Sequence, residues 1–175
     1  MKTIKKFILA YLLTIGIFAP NTAMALGKIA VLNTQEAILS SGYAQKIFTE
    51  FKEHNDYKNK TNKIRALHVE IKAVNDRLIQ EHVTMGSEDK QALLDAINRK
   101  SFDVKSLTSN LRADEQQIIE SVVKSMAPHL QKVVEDIIKI EGIGLLLNES
   151  SVMHADVGYN ITQKVTEKLN RISIP

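Results

Sequence analysis

Ile64, Leu67, Ile71, Val74 and Leu78 are spaced 3, 4, 3 and 4 residues apart. That rhythm puts one apolar stripe along a helix and seats it against a second helix as a coiled coil. Farther along, Leu93, Ile97, Val104, Leu107, Leu111 and Ile118 keep the same repeat, with Lys100 and Asp114 at the two positions the apolar residues skip. Between the stripes stands "HVTMGSEDK". Gly86 is expected to end the first helix in a left-handed conformation, Ser87 to cap the second, and Glu88 and Asp89 to favour the positive end of its dipole. The chain reverses there, giving a helical hairpin with its tip near 84–88. Each arm of about 40 residues would be roughly 60 Å long, more than a compact domain of this mass allows. Ile47, Phe48, Phe51 and Tyr57 continue the stripe less regularly, so its register shifts between Phe51 and Ile64.

The ends follow other rules. Ile29, Val31 and Leu32 form a short strand-like run, after which Asn33 with Glu36 makes a capping-box-like helix start, and Gly42 ends or bends that helix. At Pro128 either Ser125 caps a new helix or the proline kinks a continuing one. Leu130, Val133, Val134, Ile137, Ile138 and Ile140 make a broader stripe than either arm carries. Leu145–Leu147 and Ser151–His154 predict two short strands about an Asn148-Glu149 turn, and Asn160 with Gln163 starts a last amphipathic helix bearing Val165 and Leu169. The fold class is therefore α+β, predominantly α. Three short strands are a poor core for one chain, and oligomerisation is the remedy.

The first residues set the compartment. "MKTIKK", the apolar "FILAYLLTIGIF" and the Ala23-Met24-Ala25 ending predict a secretory signal peptide cut after Ala25. That leader carries Lys2, Lys5 and Lys6 and no acid, so the rest of the chain balances 20 basic against 20 acidic residues. The formal +3 of the full chain thus gives no support for a nucleic-acid partner. Within the remainder, Tyr43 to Arg112 holds 13 basic and 10 acidic residues, and Ala113 to Pro175 holds 6 and 9. The densest basic run is "YKNKTNKIR", with Lys58, Lys60, Lys63 and Arg65. Such a run is usually a solvated helix face, and otherwise a surface for anionic clients or lipid headgroups.

Catalytic patterns are missing. The chain has no cysteine, and none of its five histidines stands four residues from another, as two ligands on one helix turn require. Neither a Walker loop nor a Gly-x-Ser-x-Gly elbow occurs. No enzyme activity, metal or cofactor is expected.

"KIAVLNTQEAIL" after a leader, a long charged helical middle, and "APHLQKVVEDIIKIEGIGLLLNESSVMHADVGYNITQKVTEKLN" at the close together resemble the Skp (OmpH) family of periplasmic chaperones. The resemblance spans nearly the whole chain after the leader. It implies a homotrimer in which terminal strands and last helices form a β-containing body (26–42 and 128–175) and the hairpin (43–127) is a tentacle beside a central cavity. Unfolded outer-membrane proteins would be held there without ATP. On this chain Ile29, Val31, Leu145, Leu146, Leu147 and Val152 would be body residues. Val69, Ile79, Leu94 and Phe102, off the seam, would be cavity walls, and Lys58, Lys60, Lys63 and Arg65 would steer acidic clients or touch anionic lipid weakly. The neutral balance departs from the strongly basic members of the family, so no lipopolysaccharide site is assigned. The competing expectation is a secreted coiled-coil adaptor that docks one folded partner.

Overall fold

The computed structural model describes residues 27–172; the leader expected over 1–25 lies outside them. β1 (Lys28–Leu32) and β2 (Ile143–Asn148) form a parallel pair in which Ile29 faces Leu145, Val31 faces Leu147 and Leu32 faces Asn148. Parallel neighbours need a crossover, and here nearly everything between residues 33 and 142 supplies it. The register slips once, after the Lys28 and Ile143 pair, where Gly144 is skipped. At that point a Cβ on Gly144 would lie 2.8 Å from the Gly27 Cα, so the two backbones touch because neither residue has a side chain. On its other side β1 bridges to Asn160, and the Ile161 N–H donates to the Val31 carbonyl at 2.9 Å.

α1 (Thr34–Leu39) starts as expected, with the Asn33 Oδ1 accepting from the Glu36 N–H at 2.9 Å. Gly42 neither ends nor bends it. α1 stops at Ser40, Ser41 caps α2 (Gly42–Glu53) by accepting from the Ala44 N–H, and Gly42 is the first residue of α2, its N–H held by the Asn170 side chain at 2.8 Å. The register shift read from the seam has a physical origin. His54, with ψ 139°, breaks the arm, and α3 (Asn55–Glu81) starts anew with the His54 ring accepting from the Asp56 N–H.

The tip differs from expectation. α3 ends at Glu81, whose carbonyl accepts from the N–H groups of Thr84 and Met85, so the chain turns without a left-handed residue. Gly86 has φ −65° and serves as the N-cap of α4 (Ser87–Glu141), while Ser87 is its first helical residue. The left-handed glycine is Gly142, with φ 66°, where α4 meets β2. Gly142→Ala is expected to cost about 1 kcal/mol or more, because it forces a side chain into left-handed space, and Gly86→Ala about half as much, because alanine is only a poorer N-cap there. Denaturant midpoints of the two variants check this.

α4 is one helix of 55 residues, roughly 80 Å long. It runs unbroken through Pro128, so no new helix starts there. The Ser125 hydroxyl donates back to the Val122 carbonyl at 3.0 Å and caps nothing. Lys124 and Pro128 are both exposed, so water reaches the carbonyl that the proline leaves without a donor. The expected strand over Ser151–His154 is also absent. The Asn148 side chain accepts from the Ser150 N–H at 3.1 Å and closes a 3₁₀ turn over Glu149–Ser151, and a second such turn covers Val157–Tyr159. In α5 (Thr162–Leu169) the Asn160 Oδ1 does accept from the Thr162 N–H, but Gln163 donates forward to Glu167 and makes no capping box.

The core lies where these ends meet. Ala30 and Leu32 of β1, Ile38 of α1, Ile143 of β2 and Ile161, Val165 and Leu169 about α5 pack with Val122, Met126, Val133 and Ile137 of α4. It reaches back to Val122, one and a half helical turns before the proline.

Candidate functional site: the hairpin surfaces and the outer face of the sheet

α3 and the first half of α4 pack side by side along the predicted seam. Leu67 is buried, and Ile64, Ile71, Val74, Leu78, Leu93, Ile97, Val104, Leu107, Leu111 and Ile118 are half-buried. The two charged seam positions are partnered across the arms. The Lys100 ammonium donates to Glu70, and Lys60 donates at 2.6 Å both to Asp114 and to Asp56. Hydrogen bonding to Asp114 is the largest influence on Lys60 and holds its pKa above the ordinary lysine value. Near the foot, Phe51 and Tyr57 meet edge to face at 5.1 Å across the His54 break. The Tyr57 hydroxyl donates to Glu115 at 3.3 Å, and partial burial, followed by the Glu115 charge, pushes its pKa up. The charged seam positions thus form links between the arms, and they fix which residues stand opposite each other.

The four basic residues read together are not placed together. Lys60 sits in the seam between two carboxylates, whereas Lys58, Lys63 and Arg65 are exposed. Arg65 donates to the Asn62 side chain. The expected wall residues Val69, Ile79, Leu94 and Phe102 are 64%, 65%, 39% and 69% exposed, so none is needed to close the seam. Val69 and Phe102 lie on the outward backs of their helices, while Ile79 and Leu94 share one broad face. Val83, at 80% exposure, adds an apolar side chain at the tip that the seam pattern did not single out.

On the body, one face of the strand pair covers the core and the other is open. Ile29 is 50% and Leu145 48% exposed, and Leu146, Leu147 and Val152 are half-buried. Val31 is buried, at 2%. Ile29, Val31, Leu147, Val152 and Tyr159 line an open groove of about 270 Å³ with His154 and Asp156 at its rim. Met153 and Val157 stand wholly in solvent beside it. Sequence reasoning missed both: Met153 falls in the expected Ser151–His154 strand, and no pattern singles out Val157. Among the described residues, no group of three or more His, Cys, Asp or Glu side chains is arranged to hold a metal, and no helix is long and apolar enough to cross a membrane.

A small strand-and-helix body that carries a long helical hairpin makes this an α+β, predominantly α, body-and-hairpin protein. The family model for outer membrane protein (OmpH-like) matches residues 28–169, and the chain belongs to that family. It is 27% identical over 168 residues to a Skp-like protein of Pseudomonas aeruginosa, covering 96% of this chain and 99% of that one. An OmpH-like crystal structure from Caulobacter crescentus aligns with a TM-score of 0.46 at 16% identity, covering 83% of this chain and 85% of that one.

Proposed function

We propose that this protein is an ATP-independent periplasmic holdase that works as a homotrimer and keeps unfolded outer-membrane proteins from aggregating on their way to the outer membrane. Family membership supports a chaperone role. The observation that carries the finer reading is the pair of uncovered apolar surfaces. A parallel strand pair is stable when both faces are covered, yet Ile29 and Leu145 stand half in water. Covering that face with neighbouring copies would gather three hairpins around a space, with 26–42 and 128–175 as the body and 43–127 as the tentacle. The exposed Val69, Ile79, Leu94 and Phe102 then offer weak, dispersed apolar contact, which suits clients of varied sequence better than a shaped pocket does. The leader pattern supports export to the periplasm, and the exposed lysines allow only a weak, salt-screened contact with anionic lipid.

The test is to dilute a urea-unfolded β-barrel protein into buffer without nucleotide, with and without residues 26–175 of this chain, and to follow light scattering. Suppression of scattering at one trimer per client is expected. Unchanged aggregation at that ratio, or tight binding of one folded partner with indifference to unfolded chains, would overturn the reading in favour of an adaptor.

A further inference from the structure

The hairpin has two broad faces, and the seam assigns residues to them. Immediately after Tyr57, Ile64, Ile71 and Leu78 on the first arm come Lys58, Arg65, Lys72 and Ile79. Immediately after Val104, Leu111 and Ile118 on the second come Lys105, Arg112 and Ile119. With the arms antiparallel, the seven-residue repeat stacks both sets on the same side. The cross-arm contacts agree. Tyr57 reaches Glu115, which follows a seam residue, and Lys100 reaches Glu70, which precedes one, so the two contacts lie on opposite sides.

The charges are divided between the faces. The rows just described hold five basic residues, and the acid beside them, Glu115, accepts from the Tyr57 hydroxyl. Lys72 pairs with Asp76, and no ion pair occupies Lys58, Arg65, Lys105 or Arg112 among the described residues. The residues that precede the same seam positions, on the other side, are net acidic by one, with Lys63 and Arg77 against Asp56, Glu70 and Asp103.

Both ends of the basic face are apolar. Toward the tip stand Ile79 and Leu94. Toward the foot, at the His54 break between α2 and α3, Leu39, Phe48, Phe51, Ile118 and Ile119 line a cleft of about 360 Å³, with Gln45, Lys52 and the Tyr57-bonded Glu115 as its polar lining. Ile119 comes one repeat after Arg112 in the same row, so the basic rows run directly into the cleft.

Resting on the holdase reading, we propose that this face is the track on which an extended client polypeptide lies, with spaced carboxylates on Lys58, Arg65, Lys105 and Arg112 and a bulky aromatic side chain in the foot cleft. Rungs one repeat apart are separated by roughly 10 Å, about three residues of a polyproline-II-like chain, whose threefold repeat returns every third side chain to the same side. The complementary client segment is therefore acidic at about every third position, with an aromatic residue beyond the last acid. The other face, with its small acidic excess, has no attraction for such a chain.

The absence of cysteine makes single labels clean. Ile119→Cys in otherwise complete residues 26–175, carrying a bimane that tryptophan quenches, is titrated with a capped 14-residue peptide bearing glutamate at every third position and one terminal tryptophan. Saturable quenching is expected, weaker by about tenfold when the glutamates are replaced by lysines, and absent at a label on Ser106→Cys across the hairpin. Arg65→Glu with Arg112→Glu should weaken the peptide about tenfold, and Lys63→Glu with Arg77→Glu should leave it within about twofold, with unchanged helix signal and mass in both. Equal response to both peptides, equal loss from both charge variants, or no quenching at position 119 overturns the track. So does a dye shielded in the free protein and uncovered on dilution, which would mean that a second copy fills the cleft. If the unfolded barrel protein is nonetheless kept soluble, only the track falls; if that fails as well, the holdase reading falls with it.

Discussion

Leu145→Asp is expected to reduce the assembled mass to that of a single chain and, with it, to abolish retention of unfolded barrel proteins. Its side chain is 48% exposed and sits on the outer face of the strand pair, opposite Ile29. The residues of β2 that serve the chain's own core are Ile143, which is buried, and Leu146, which packs against the cluster from its edge. An aspartate at 145 therefore stays hydrated in the isolated chain at little cost. Between copies the same carboxylate would be taken from water with no cation supplied, a penalty of several kcal/mol for each copy. Light scattering or sedimentation across a dilution series reads the mass, and the helix signal confirms that the chain is still folded. Phe102→Asp, equally polar but on the back of the hairpin, should leave the mass unchanged. An assembly that survives Leu145→Asp would show that copies meet elsewhere, and the central space would lose its basis.

The contrast between these two positions marks what one sequence can and cannot disclose. The seam was legible because a seven-residue repeat is a local pattern that one partner helix satisfies, and the Asn33 cap was legible because its acceptor and donor lie three residues apart. The pairing of β1 with β2 was not legible in register. Its slip at Gly144 depends on a backbone contact with Gly27, and no local pattern marks two glycines more than a hundred residues apart as neighbours.

Failures at single residues have similar causes. A glycine after a helix usually signals a left-handed cap, but the Glu81 carbonyl is satisfied by Thr84 and Met85, so Gly86 was free to start the next helix and the left-handed role fell to Gly142. Val152 and Met153 look like strand formers, yet the Asn148 side chain closes a turn just before them and leaves Met153 in solvent. Lys60 belongs to a basic run in one dimension; in three it is a seam residue between Asp56 and Asp114. The foot cleft was least legible, because it arises from the break at His54, and the sequence showed that break only as an irregularity in the stripe.

Ile137→Ala is expected to lower stability by about 2–5 kcal/mol, the range for deleting a fully buried aliphatic side chain and leaving a cavity behind. Ile137 is 1% exposed and lies in the cluster that joins α4 to Ile143, Val165 and Leu169. That cluster is small, so the loss is a large fraction of what holds the body together. Ile97→Ala, at a half-buried seam position, should cost clearly less, because part of its surface is already wet and the gap can be hydrated. The two sites also report on each other through α4, which is a single helix from Ser87 to Glu141 and belongs to both the body and the hairpin. A two-helix hairpin with one narrow seam has little tertiary packing to sustain it alone, so the body core should set the midpoint at which the arms melt. Urea unfolding followed by helix signal should therefore show one transition for each variant, shifted far more by Ile137→Ala than by Ile97→Ala. A hairpin that keeps its helix signal after the body has lost its packing would mean that the seam, with its Lys60 and Lys100 cross-links, is stable without the core.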